Sequence, residues 1–201
     1  MQHERHRIHR PAAADHRSEL HARANTTLST ALAANQGLKR SLRFVLAVPV
    51  GWGLLFCLCA AGVGSVVVAV PVLRYGLQVL GVAYLLWLAY KIAQSSQLTQ
   101  ADANRLNVTF FQGVMMQFLN IKAWMLALTV VAGWLAGRPD VLQRFAITLP
   151  LMMLFGLASN LAYALMGSLL RDWLVQGARL QWFNRAMAAL LVATAAWMGS
   201  L

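Results

Sequence analysis

Carboxylates are the scarcest charged group in this chain: 6 Asp+Glu stand against 17 Lys+Arg in 201 residues. None falls inside a long apolar run, and Asp102, Asp140 and Asp172 all sit in connections. A carboxylate proton relay buried in apolar sequence is therefore excluded, and so is a paired-carboxylate hydrolase. Histidine is absent after position 21: His3, His6, His9, His16 and His21 are the whole set. No Ser/His/Asp constellation and no metal-ligand set can be assembled from that distribution. The chain is expected to be no enzyme and to use neither cofactor nor metal. Cysteine is limited to Cys57 and Cys59. Two positions apart on a helix they face different sides, so no disulfide between them is expected.

Charge as a whole is also scarce. Charged residues make up 11% of the chain, against roughly 25% in a soluble domain. What fills the space is apolar: 59% of residues are hydrophobic, and there are 7 Trp. Together with long apolar runs this is the composition of an integral membrane protein in a lipid bilayer. The net charge of +11 does not point to nucleic acid, because the basic residues lie mainly between apolar runs and no aromatic-basic binding pattern accompanies them.

Five apolar segments are read at about 44–70, 72–93, 108–136, 145–170 and 182–200. Each is long enough to cross a hydrocarbon core that takes about 20 helical residues. No period-two alternation suggests barrel strands, so the expected class is all-α, a polytopic membrane helix bundle. Lys39, Arg40, Arg43, Lys91, Arg105, Arg171, Arg179 and Arg185 fall in alternate connections, against Arg74, Arg138 and Arg144 in the others. Positive residues favour the cytoplasmic side, which places the C-terminus outside. Glycines recur through the runs, including Gly51, Gly53, Gly81, Gly113 and Gly167. They fit close helix packing, and a homo-oligomer is compatible with the same faces.

The third run, FFQGVMMQFLNIKAWMLALTVVAG, is the most polar, with Gln112, Gln117, Asn120 and Lys122. A lysine amid so much apolar sequence either meets a partner, water or substrate, or reaches the membrane surface along its own stem. Asn120 and Lys122 are separated by about 200° around a helix. They share a cavity only if the helix breaks between them. In the fourth run Ser159, Asn160 and Tyr163 are read as interhelical hydrogen-bond formers, with a polar path as the alternative.

Three stretches carry a family resemblance: NTTLSTALAANQGLKRSLRFVLAVPVGWG at 25–53, LQVLGVAYLLWLAYKI at 77–92 and FFQGVMMQFLNIKAWMLA at 110–127. They resemble the LysE superfamily of bacterial amino-acid exporters, in its threonine/homoserine/cysteine-exporter branch. The resemblance runs from Asn25 to the C-terminus. It implies six spanning helices in two inverted halves and export of small amino acids across the inner membrane in exchange for protons. A membrane scaffold or partner subunit that transports nothing is the competing class. By resemblance Asn120 and Lys122 belong to the transport site, and with Asn25 and Gln117 they form the expected substrate-binding set. A lysine ammonium suits a substrate carboxylate, and backbone freed at a helix break suits its amine. The family's second-half motif is usually Asn-Pro-Lys, and here it reads Asn120-Ile121-Lys122. Without the proline a sharp break is less expected. Some cysteine-exporter-like members lack it too, which leans toward that substrate class.

The family's first-half motif is Pro-Gly-Pro-Asn. Its Asn is Asn25, but Ala22-Arg23-Ala24 precede it. The remaining apolar piece, 25–36, is about 18 Å of helix, little more than half a crossing. Five complete spans and part of a sixth are therefore expected, with the transporter domain at 25–201. Residues 1–24 are a basic arm expected to lack order, or else out-of-frame translation. Shifted by one base, the codons of residues 21–25 permit Thr-Pro-Gly-Pro ahead of Asn25. Those of 11–15 permit a run of Leu.

Overall fold

Helix is the only regular structure among the described residues, 23–95 and 106–200, of this computed structural model. In order these are α1 (Arg23–Gln36), α2 (Leu38–Ala60), α3 (Val63–Ala69), α4 (Pro71–Gln94), α5 (Phe110–Phe118) and α6 (Ile121–Val130). A π-helical turn (Val131–Leu135) continues α6, and α7 (Val141–Leu174) and α8 (Arg179–Gly199) follow. The expectations for residues 1–22 lie outside the described residues. Arg23 and Ala24 already form the first turn of α1, so the helix opens two residues before the seam read from the sequence.

Two of the expected spans are broken. The run at 44–70 begins earlier, at Leu38, and is divided into α2 and α3. Gly62 sits between them at φ +89, in the left-handed region that glycine enters without a Cβ clash. The run at 108–136 is divided at Leu119-Asn120, with a bend of 67° between its two parts. Three helices, α2, α4 and α7, are long and apolar enough to cross a membrane, and the bent pair makes a fourth candidate. α8 has the length, at 21 residues, but opens on Arg179, Gln181, Asn184 and Arg185 and is less apolar than the others.

α1 packs along α7 and against α2 and α8; α4 packs along α8; α2 packs against α5 and α7. Glycine makes the closest of these approaches possible. A Cβ at Gly167 of α7 would stand 2.9 Å from the Thr30 carbonyl carbon of α1. The core between the helices is built on Leu28, Leu32, Phe44, Phe56, Ile92 and Leu191, each buried to within a few per cent. Trp52, Phe56 and Phe145 stack in a row across it, with ring centroids 5.1 and 5.6 Å apart.

Outward faces stay apolar, with Val72, Leu142 and Leu169 widely exposed, as a lipid-facing surface requires. Cations rest on aromatic rings at both ends of the bundle. Lys91 covers Trp87, Arg179 covers Trp173 and Arg185 covers Trp182 at one end. Arg74 covers Tyr75 and Arg144 covers Trp134 at the other. Amphipathic rings and long cationic stems belong at the two membrane–water boundaries. At the second end Arg144 Nε also donates to Asp140 Oδ1 at 2.8 Å, and this bond holds the Asp140 carboxyl below the usual range. Cys57 is exposed and Cys59 buried, both free, on different sides of α2 as their spacing predicts.

Candidate functional site

The break at 119–120 is made by capping. Asn120 takes an extended conformation and is the N-cap of α6, its side-chain oxygen accepting from Lys122 N at 3.2 Å. Asparagine at this position satisfies a donor that the new helix leaves open, so no proline is needed to end the old one. Trp124, one turn into α6, reaches back and donates its indole N–H to the Phe118 carbonyl at 2.8 Å. That bond satisfies an open acceptor at the end of α5. On the far side, Gly81 of α4 lies so close that a Cβ there would meet the Leu119 carbonyl carbon at 3.2 Å, and its oxygen closer still.

The consequence is geometric. With the helix interrupted, Asn120 and Lys122 line one cavity together with Ala24, Gly81, Tyr84, Met116, Thr194 and Trp197. The Lys122 ammonium lies against the Trp197 ring. The cavity is mostly apolar, and the side chains with polar atoms among its lining are Tyr84, Asn120, Lys122, Thr194 and Trp197. Asn120 and Lys122, at the N-terminus of α6, line it, so the positive end of that helix dipole adds to the lysine. A carboxylate is the complementary ligand. In this state the space is about 20 Å³, enough for one or two water molecules. A larger ligand would fit only if the surrounding helices separate.

Asn25 and Gln117, expected in the substrate-binding set, are not among the residues lining this cavity; they bond to each other next to its lining residues Ala24 and Met116. Asn25 Nδ2 donates to Gln117 Oε1 at 3.1 Å, and Gln117 Nε2 donates to Asn25 Oδ1 at 3.2 Å. Gln117 is buried, and a Cβ on Gly51 of α2 would meet its Cγ at 2.8 Å. The pair ties α1 to the end of α5 directly before the break. Loss of one partner leaves a buried amide unmet, at a cost of about 1–3 kcal/mol. Asn25→Leu and Gln117→Leu should each lower the melting temperature in detergent. The double variant should cost less than the two added together, which a double-mutant cycle reads directly.

Other polar residues singled out in the sequence have separate places. Gln112 closes a capping box with Thr109 at the start of α5 and is not among the residues lining this cavity. Asn160 accepts from the Ser29 hydroxyl at 2.9 Å, joining α7 to α1. Ser159 and Tyr163 face outward. Sequence reasoning missed Thr194, Trp197 and Gly81, which reach the cavity from helices read as uniformly apolar. A larger open cleft of about 420 Å³ runs beside the π turn, lined by Val130, Trp134, Ile147, Leu151 and Met152 among others. Its walls are apolar and its charged groups, Asp140 and Arg144, already pair at its mouth.

Ile121 holds the place of the absent proline and is the first residue of α6. Its N–H is one that a helix start leaves without an intrahelical partner. Proline is favoured at that position, and the preceding Asn120, at φ −90 and ψ 94, already has the extended backbone that a proline demands. Ile121→Pro is therefore expected to fold with the same bend, losing only about 1 kcal/mol of apolar burial. Retained detergent stability and retained export would both check this.

These features define a multi-pass helical membrane protein with one helix broken beside a small, mostly apolar cavity. The sequence profile of the LysE type translocator family matches residues 23–199. The chain belongs to the LysE family, whose members are translocators and not enzymes. It is 32% identical over 170 residues, 84% of either chain, to the cysteine/O-acetylserine efflux protein of Klebsiella pneumoniae. It is 30% identical over 145 residues to that of Salmonella typhimurium, covering 72% of this chain and 74% of the relative. Over 169 residues it is 28% identical to that of Escherichia coli K12, covering 84% and 85%. No solved structure matches at a significant level.

Proposed function

We propose that this protein exports a small neutral amino acid or its O-acyl derivative, of the cysteine/O-acetylserine kind, from the bacterial cytoplasm. One observation carries the reading: the bend of 67° turns Asn120 and Lys122 onto the same cavity. The Lys122 ammonium and the α6 N-terminus receive the substrate carboxylate, Asn120 and the backbone freed beside it receive the amine, and Met116, Tyr84 and Trp197 face the side chain. No Asp or Glu lines the cavity among the described residues. A second substrate ammonium would sit beside Lys122 uncompensated, which disfavours lysine and arginine as cargo. The names of the three relatives support the same substrate class. Asn25 and Gln117 act here by holding the break in place.

Protons are the proposed coupling ion, with Lys122 as the ionisable group on the path. The proposed location is the inner membrane with the C-terminus outside, supported by the basic residues around Lys39, Lys91 and Arg179. Proteoliposomes loaded with labelled cysteine, O-acetylserine, threonine or lysine test the reading under an imposed pH gradient. Export of the first two, dependent on the gradient, is expected. Retention of all four would instead favour a scaffold that packs through its glycine faces.

A further inference from the structure

The α1, α4 and α8 helices share a second polar station that no function yet explains. Asn35 of α1 and Asn184 of α8 exchange amide hydrogen bonds, Asn35 Nδ2 to Asn184 Oδ1 at 2.8 Å and Asn184 Nδ2 to Asn35 Oδ1 at 2.9 Å. Ser95, directly after α4, donates its hydroxyl to Asn35 Oδ1 at 3.0 Å and accepts on its carbonyl from Asn184 Nδ2 at 2.8 Å. Asn35, Ser95 and Asn184 are 2%, 4% and 0% exposed. Three segments up to 149 residues apart in sequence are thus clasped at one point.

The position of that point matters. On α4 the clasp is 10–14 residues from the cavity residues Gly81, Tyr84 and Leu85, and on α8 it is 10–14 residues from Thr194, Trp197 and Met198. On α1 it is 11 residues from Ala24. All three helices give the same separation, about 15–21 Å. Leu28, Ala31, Leu32, Leu85, Leu88 and Leu191 fill the interval and belong to one buried apolar cluster. Cavity, dry plug and amide clasp therefore lie in line. The clasp stands at the end of the bundle bearing Lys39, Arg40, Lys91 and Arg179. Gly37, two residues beyond Asn35, has φ +83 and ψ 162, a conformation essentially confined to glycine and a natural pivot between α1 and α2.

We propose that Asn35, Ser95 and Asn184 form the inner gate of the transport path. The chemistry suits a seal that must open. Buried amides that part into an aqueous opening exchange their partners for water at small net cost, whereas a parted apolar seal exposes hydrocarbon. Opening the clasp by a swing of α1 about Gly37 admits substrate to the plug and then to the cavity, while the state described here is shut on that side. The inference rests on the transport reading above, but its first test needs no substrate, so the two fail separately.

The test uses the full chain with Cys57→Ser, Cys59→Ser and Ala188→Cys, the last placing a thiol in the plug one turn from Asn184. A membrane-impermeant maleimide is applied to each face of oriented vesicles. Adding Asn184→Ala removes three of the four hydrogen bonds of the clasp and should raise labelling from the Lys39/Arg179 face by about tenfold or more. Labelling from the opposite face should not change. Unchanged labelling, or an equal rise from both faces, overturns the gate. Where Asn184→Ala fails to fold, Ser95→Ala removes a single hydroxyl and carries the same prediction at smaller amplitude. In a second arm Asn35→Cys and Asn184→Cys are joined by a short bifunctional thiosulfonate. Bridged protein that exports as fast as its reduced form also overturns the proposal; reversible block supports it.

Discussion

Lys122→Ala should slow export by roughly 10- to 150-fold while leaving the bundle folded. The break is capped through the Lys122 backbone N–H, which the substitution keeps, so the bend is expected to survive. What is lost is a charge-assisted contact to the substrate carboxylate, worth about 1.5–3 kcal/mol, or roughly 10- to 150-fold in rate at limiting substrate. Lys122→Arg keeps the charge but is longer and planar, and in a cavity of about 20 Å³ it should restore only part of the rate. Initial export rates from proteoliposomes, with the melting temperature measured on the same preparations, separate the two effects. Full export by Lys122→Ala would remove the lysine from the site.

Gly81→Val should have an effect of the opposite kind, acting on the break and through it on the site. The added side chain meets the Leu119 carbonyl, which is backbone and has no rotamer to escape into, and a Cβ already stands 2.9 Å from the Met198 terminal methyl. Overpacking of this type costs about 1–3 kcal/mol or more. Relief requires α4 to move away from the bent helix, which takes one cavity wall with it. Both export and thermal stability should fall. Gly76, on the same helix, has nothing within 4 Å of its Cβ position, so Gly76→Val is the matched control and should be tolerated. Equal behaviour of the two variants would show that the approach of α4 to Leu119 is not tight in the membrane.

How much of this was legible in the sequence depends on the range of the interaction. The helical class and the positions of the long helices follow from apolar run length, because lipid leaves the backbone no other way to satisfy itself. Local breaks were legible in principle. Gly62-Val63-Gly64 marks the end of α2, and an Asn inside an apolar run followed by helix formers is an N-cap signature. The missing proline is not decisive, because a helix can end where a residue caps the next one. Thr109-Phe110-Phe111-Gln112 is likewise a capping box in plain sequence, so the polarity of Gln112 belongs to a helix start. The site was half legible, since Lys122 is conspicuous and Trp197 is not. The Asn35–Ser95–Asn184 clasp was not legible, because its partners lie 60 to 149 residues apart and each looks incidental alone.

The α7 helix has a consequence of its own. At 34 residues it is about 51 Å long, and even its apolar part, 145–170, measures about 39 Å against a hydrocarbon thickness of about 30 Å. Such an excess is absorbed by tilt or by a thicker surrounding bilayer. Tilt of α7 is not a private matter, since Gly167 and Asn160 fasten it to α1, and α1 carries both Asn25 and Asn35. Acyl-chain length in the host membrane thus exerts leverage on the two ends of the path at once. The transport rate should follow bilayer thickness even where no lipid touches the cavity.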